Sequence, residues 1–195
     1  MSSGQEEVVL NRVLTVPNMI STARMLLIPV FAWAFLTGDK DAFALGLLVV
    51  IGCTDWVDGY VARKTGQVSK LGKLLDPVAD RVAIVVVLLA LVFRDVVPLA
   101  VAGAILLRDL IVSIVFPILE AKGFPRLSVN WTGKWATALI FTGMAFAAAS
   151  VLDPVRDFAR PASHALLVAG AVLYWIAGLL YIKEIRRLLK AETVT

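Results

Sequence analysis

The stretch TDWVDGYVARKTGQVSKLGKLLDPVAD, residues 54–80, joins the end of one long apolar run to the start of the next. It carries four aspartates, Asp55, Asp58, Asp76 and Asp80. The surroundings make them unusual. Of the 195 residues 59% are hydrophobic and 17% charged, with a mean hydropathy of +0.85, against about 45–50% apolar in ordinary soluble domains. A soluble fold of this length cannot hide so much apolar surface, so lipid is the economical solvent for most of the chain.

Working outward from residues 54–80, apolar runs lie near 17–36, 42–61, 74–93, 98–118, 134–151 and 165–182. Each is close to the ~20 residues that cross the ~30 Å hydrocarbon core. The pattern predicts an all-α integral membrane protein, one domain over residues 1–195, with six transmembrane helices. The opening residues, ending in VVLNRVLTV (8–16), suit an N-terminal juxtamembrane amphipathic segment and lack the pattern of a signal peptide. DPVRDFARPAS, between spans five and six, reads as a loop.

Basic residues in short loops set orientation. Arg63, Lys64, Lys70 and Lys73 lie between spans two and three, and Lys122, Arg126 and Lys134 around the next loop on that side. Lys183, Arg186, Arg187 and Lys190 lie in the tail. The opposite loops balance: Arg94 with Asp95, then Asp153 and Asp157 with Arg156 and Arg160. The expected site is the cell (inner or plasma) membrane, with both termini and all four aspartates on the cytoplasmic side. The net charge of +4 suits anionic headgroups, and no nucleic-acid module is present. Cys53 is the single cysteine, which leaves packing as its expected role.

Asp55 and Asp58 are three apart, with Gly59 and Ala62 on the same helical face; Gly72, Asp76 and Asp80 are spaced by four. Four carboxylates held together raise one another's pKa, and each costs at least ~2.5 kcal/mol at bilayer depth. Divalent cations answer both problems. All-oxygen ligands suit Mg²⁺ or Mn²⁺ rather than zinc, and two such ions balance four negative charges. A metal pair of this kind serves in-line displacement at phosphorus. Gly59, Ala62 and Gly72 leave room beside the backbone, and Arg63 forks onto a phosphate. The blander reading has the aspartates capping helices and the small residues packing them.

Asp55-Trp-Val-Asp58-Gly59-Tyr-Val-Ala62-Arg63, eight residues to Gly72, three to Asp76 and three to Asp80 resembles the full signature of the CDP-alcohol phosphotransferases. All eight fixed positions and both gaps match. The resemblance implies transfer of a phosphatidyl group from a CDP-linked lipid, usually CDP-diacylglycerol, to an alcohol, with release of CMP. It implies that Asp55, Asp58, Asp76 and Asp80 hold two divalent metals and that Asp80 is the base. It further implies that Gly59, Ala62, Arg63 and Gly72 line the CDP site, and that the protein is a homodimer. No histidine lies near the aspartates, so a carboxylate base is also what the bare sequence requires.

VPNMISTAR, residues 16–24, resembles the first span of the phosphatidylglycerophosphate and cardiolipin synthase branches, with Ser21 for their usual threonine. Arg108-Asp109, the single lysine Lys134 in Gly133-Lys-Trp-Ala-Thr, and the opening NRVLTVPNM resemble the CMP-forming cardiolipin branch, as found in actinobacteria. Phosphatidylglycerol is therefore the expected acceptor and glycerol-3-phosphate the alternative. Lys134, Arg126 and Arg108 are candidate acceptor contacts. Arg24, Arg108 and Asp109 equally suit ion pairs inside the bundle. A transporter is the distant alternative, but it would set carboxylates at midplane within inverted repeats, and no repeat is visible.

Overall fold

The computed structural model describes residues 15–65, 72–121 and 131–192; the side chains of 16–17, 55–65, 72–77, 120 and 184–192 lie outside the description. The juxtamembrane segment and Arg126 also fall outside it. Six α-helices are present: α1 Val16–Thr37, α2 Asp41–Thr65, α3 Gly72–Phe93, α4 Leu99–Ala121, α5 Trp131–Ala149 and α6 Arg156–Glu192. The described residues contain no strand. Asn18–Thr37, Leu99–Leu119 and Asp153–Lys183 are long and apolar enough to cross a membrane, and Asp41–Thr54 is a shorter apolar helix.

The chain divides into two compact units, Met1–Phe93 and Arg94–Thr195. In the first, α1 packs against both α2 and α3. Thr15 caps α1, its hydroxyl accepting from the Asn18 amide at 3.4 Å, and Pro17 lies in the first turn, where a missing N–H costs nothing. Gly38 closes the helix at φ 79°, a left-handed cap that a Cβ would strain. Ile28, Phe31 and Phe35 of α1 are buried, as are Ala79, Ala83, Val87 and Leu91 of α3. The four-residue spacing on α3 is the buried stripe of a helix.

The outside of the protein is apolar. Leu26 is 67% exposed, Leu110 56% and Leu179 62%, which in water would form patches far beyond those of a soluble monomer. Cys53 is exposed on α2 rather than packed, because its position on the helix falls outside the buried stripe of Ala44 and Ile51.

In the second unit α5 and α6 run antiparallel: Gly133 lies opposite Ala177, Gly170 opposite Ile140, and Gly143 opposite Leu167. Two glycines permit the approach. A Cβ on Gly143 would stand 3.1 Å from the Leu167 nitrogen, and one on Gly170 3.1 Å from the Ile140 nitrogen and 3.3 Å from the Ala136 oxygen. Small residues at helix interfaces are the membrane route to close dispersion contact. α4 runs parallel to α6, as Trp175 donating to the Ala104 carbonyl at 3.1 Å and the Phe116–Tyr181 ring pair at 5.2 Å show.

The sequence-based reading of DPVRDFARPAS, residues 153–163, as a loop is corrected. A 3-10 turn spans Asp153–Val155 and α6 starts at once, at Arg156. Charged residues are compatible with a helical start when that turn lies outside hydrocarbon, and Asp157 in the first turn suits the helix dipole. Pro161 lies inside α6, in its second turn, and the helix continues through it.

Gly170→Ala is expected to destabilise the detergent-solubilised protein by about 1–3 kcal/mol, the usual cost of overpacking, because backbone atoms of α5 cannot move aside. Gly103→Ala, where nothing lies within 4 Å of the added Cβ, is the matched control. Thermal unfolding of the two variants side by side checks it; equal midpoints would show that α5 and α6 are not held at glycine distance.

Candidate active site

On α1 the buried polar residues Thr15, Asn18, Ser21 and Arg24 recur every third position. Arg24 is 1% exposed and heads the largest fully buried side chains. Its Nη1 lies 3.2 Å from Oδ1 of Asp80, in the third turn of α3, and the Asp80 side chain is 41% exposed. A guanidinium this deeply buried without a counter-charge would be expensive. Asp80 supplies that charge, and Arg24 in return fixes the carboxylate. The ion pair that the sequence suggested for Arg24 is observed, and its partner is the expected base itself.

The other motif residues are placed by backbone. Asp55, Asp58, Gly59, Ala62 and Arg63 ride the last turns of α2; Gly72 opens α3 and Asp76 lies one turn in. Helical backbone at these positions puts Asp55 with Asp58, and Asp76 with Asp80, on shared faces. Their side chains, Asp80 apart, lie outside the description, as do those of the expected CDP residues. Among the described residues no three His, Cys, Asp or Glu gather as a metal site. The donor set fits a hard divalent cation, because all four groups are carboxylates at helical spacing.

In the second unit, Lys134 begins α5 exposed, its Nζ 4.7 Å from the Trp131 ring centre. Arg108 of α4 is 6% exposed. Its guanidinium stacks 3.7 Å from the Tyr174 ring centre, and its Nε donates to the Tyr174 carbonyl at 3.2 Å. The Tyr174 hydroxyl donates to Oδ1 of Asp109 at 3.0 Å. One α6 tyrosine thus serves both members of the Arg-Asp pair, by its face, its carbonyl and its hydroxyl. The sequence reading missed Tyr174. The available signal was a tyrosine well inside an apolar run.

A buried guanidinium paired with a carboxylate, a helical aspartate motif and an apolar exterior mark a membrane protein. The family model of CDP-alcohol phosphatidyltransferases matches residues 14–182, and the chain belongs to that family. It is a transferase of phospholipid biosynthesis. It is 36% identical over 190 residues to the cardiolipin synthase (CMP-forming) of Streptomyces coelicolor, covering 93% of this chain and 87% of the relative. It is 33% identical over 163 residues to the CDP-diacylglycerol–glycerol-3-phosphate 3-phosphatidyltransferase of Haemophilus influenzae, covering 81% and 86%. A cardiolipin synthase (CMP-forming) of Oryza sativa is 32% identical over 203 residues, covering 91% of this chain and 59% of the relative.

Removing Arg24 as alanine is expected to lower stability by less than the about 3–5 kcal/mol of a fully buried pair, because Asp80 is partly exposed. It should lower turnover more than it lowers stability. Arg24→Lys, which keeps the charge, should restore folding and only part of the turnover. Unfolding midpoints and kcat measured together check this; an Arg24→Ala protein with wild-type kcat would remove Arg24 from the site.

Proposed function

We propose that the protein transfers the phosphatidyl group of CDP-diacylglycerol to the terminal hydroxyl of phosphatidylglycerol, giving cardiolipin and CMP. In this reading both units form one catalytic domain of six transmembrane helices, homodimeric, with the aspartates and both termini on the cytoplasmic side of the cell membrane. The observation that carries it is Asp80, a carboxylate on α3 held 3.2 Å from a buried guanidinium and standing at the base position of the family motif.

Gly59, Ala62, Arg63 and Gly72 line the CDP moiety, and Arg63 takes the diphosphate in a fork. Asp55, Asp58, Asp76 and Asp80 would hold two divalent cations, Mg²⁺ or Mn²⁺. When bound, such a pair neutralises the diphosphate and stabilises charge developing on the attacking and leaving oxygens. Asp80 takes the proton of the acceptor hydroxyl. The freed oxygen bonds to the phosphorus that bears diacylglycerol, the bond from that phosphorus to the bridging oxygen breaks, and CMP leaves with the bridging oxygen and its electron pair. Arg24 keeps the Asp80 carboxylate aimed while this happens. Lys134 meets the acceptor phosphate. Arg126 remains a second candidate there, whereas the contacts of Arg108 with Tyr174 suit a fastening role between α4 and α6.

The likeness to the Streptomyces coelicolor enzyme over nearly the whole chain supports phosphatidylglycerol as acceptor. The likeness to the Haemophilus influenzae enzyme supports the alternative, glycerol-3-phosphate giving phosphatidylglycerophosphate.

Asp80→Asn is expected to cut turnover by about 10²–10⁴-fold, the usual share of a general base, while CDP-diacylglycerol still binds. EDTA should abolish activity and Mg²⁺ or Mn²⁺ restore it. Near-normal turnover of the variant would place the base elsewhere, and full activity in EDTA would end the metal reading.

Offered phosphatidylglycerol and glycerol-3-phosphate in parallel with CDP-diacylglycerol, the purified protein should form cardiolipin. Lys134→Ala should raise the acceptor KM roughly 10–150-fold, the equivalent of about 1.5–3 kcal/mol for a hydrogen bond to a charged group, and spare CDP-diacylglycerol binding. Product lipids resolved by mass decide the acceptor; phosphatidylglycerophosphate as sole product would replace it with glycerol-3-phosphate.

A further inference from the structure

Within the second unit, beside the starts of α4 and α6, lies a cavity of about 230 Å³ lined by Arg94, Asp95, Ser150, Arg156 and Arg160 together with two valines. None of these residues takes part in the transfer chemistry. In the sequence their segments are neutral: Arg94 and Asp95 cancel, as do Asp153, Arg156, Asp157 and Arg160. The fold separates these charges. Three arginines face the cavity and one aspartate joins them, while Asp153 and Asp157 are not among the lining residues.

The arginines are differently held. Arg156 is anchored at the rim, its Nη2 2.9 Å from Oδ1 of Asp153 and 3.4 Å from the Val151 carbonyl. The Asp153 side chain is 86% exposed, so it ties Arg156 from outside. No carboxylate among the described residues pairs with Arg160. Asp95 is fixed in a left-handed turn at φ 55°, a conformation aspartate tolerates better than most residues. The volume is below the ~300–1,000 Å³ that drug-sized ligands occupy, so the cavity suits a small anionic group rather than a nucleotide.

Large apolar side chains of the same segments are exposed: Leu99 is 70% exposed, Val155 42% and Phe158 69%. Arginines close in sequence to exposed aliphatic and aromatic side chains are the pairing found where headgroups meet acyl chains. Guanidinium forks match phosphate oxygens, and basic pockets between membrane helices take acidic headgroups. We propose that this cavity binds the phosphodiester of an anionic phospholipid. On the topology proposed above this is the outer end of the unit, so the bound lipid belongs to the outer leaflet.

The test uses the full-length protein in phosphatidylcholine nanodiscs carrying a photoactivatable phosphatidylglycerol, with labelled peptides mapped by mass spectrometry. Labelling of residues 94–99 and 150–160 is expected. It should fall about tenfold in the Arg156→Gln/Arg160→Gln double variant, the scale of losing charge-assisted hydrogen bonds to phosphate. Asp157→Asn, a nearby charge outside the cavity, should leave it unchanged. Arg160→Gln alone, which breaks no ion pair, should also reduce labelling and serves if the double variant misfolds. Undiminished labelling in the folded Arg160 variant overturns the proposal. So does equal labelling by photoactivatable phosphatidylcholine. Loss of labelling on adding inorganic phosphate would assign the cavity to free phosphate instead. The readout is binding rather than turnover, so its failure leaves the transfer reaction standing.

Discussion

A charge inside an apolar bundle must find its counter-charge within the protein, because lipid offers none. Arg24 and Asp80 obey that constraint across fifty-six positions of sequence, and much of the first unit follows from it. α1 has to lie against α3 for the guanidinium to reach the carboxylate at 3.2 Å. α1 then packs against α3, with Ile28, Phe31 and Phe35 buried on one helix and Ala79, Ala83, Val87 and Leu91 on the other. The ion pair therefore selects the register, and dispersion among these side chains fills it. The same bond that specifies packing also orients the carboxylate required for the proposed chemistry, so stability and function are served by one contact.

The second unit meets the same constraint differently. Arg108 is neutralised by neighbours spread over one residue and its surroundings: the Tyr174 ring, the Tyr174 carbonyl, and Asp109 through the Tyr174 hydroxyl. The close approach of α5 to α6 uses no charge at all. It rests on Gly143 and Gly170 standing where any Cβ would strike backbone. Polar fastening between α4 and α6 and glycine packing between α5 and α6 are complementary means of joining helices where the hydrophobic effect between them is absent.

Helices were legible because apolar runs of bilayer length have few other uses, and α1 to α5 begin and end within a few residues of those runs. The start of α6 was not legible. Asp153, Pro154, Asp157 and Pro161 are turn formers by composition, and the tertiary setting, with α5 running antiparallel to α6, overrides them. The aspartate motif stood out because its spacing carries chemistry on its own. Long-range pairings did not: nothing local tells that Arg24 faces Asp80, or that Tyr174 rather than another span residue serves Arg108 and Asp109. The cavity at the starts of α4 and α6 was hidden for a related reason. Counting charge along a loop averages residues that the fold then points in different directions.

The length of α6 has a consequence of its own. Its 37 residues span about 55 Å at ~1.5 Å per residue, against a hydrocarbon layer of ~30 Å. A helix cut to the width of the layer exposes backbone carbonyls to hydrocarbon, or apolar side chains to water, whenever that width changes. α6 has slack instead. Its backbone bonds stay satisfied internally through tilt or axial slip of several ångströms. The paired helix α5, with 19 residues, reaches only about 28 Å, so the antiparallel pair joins a short helix to one with length to spare.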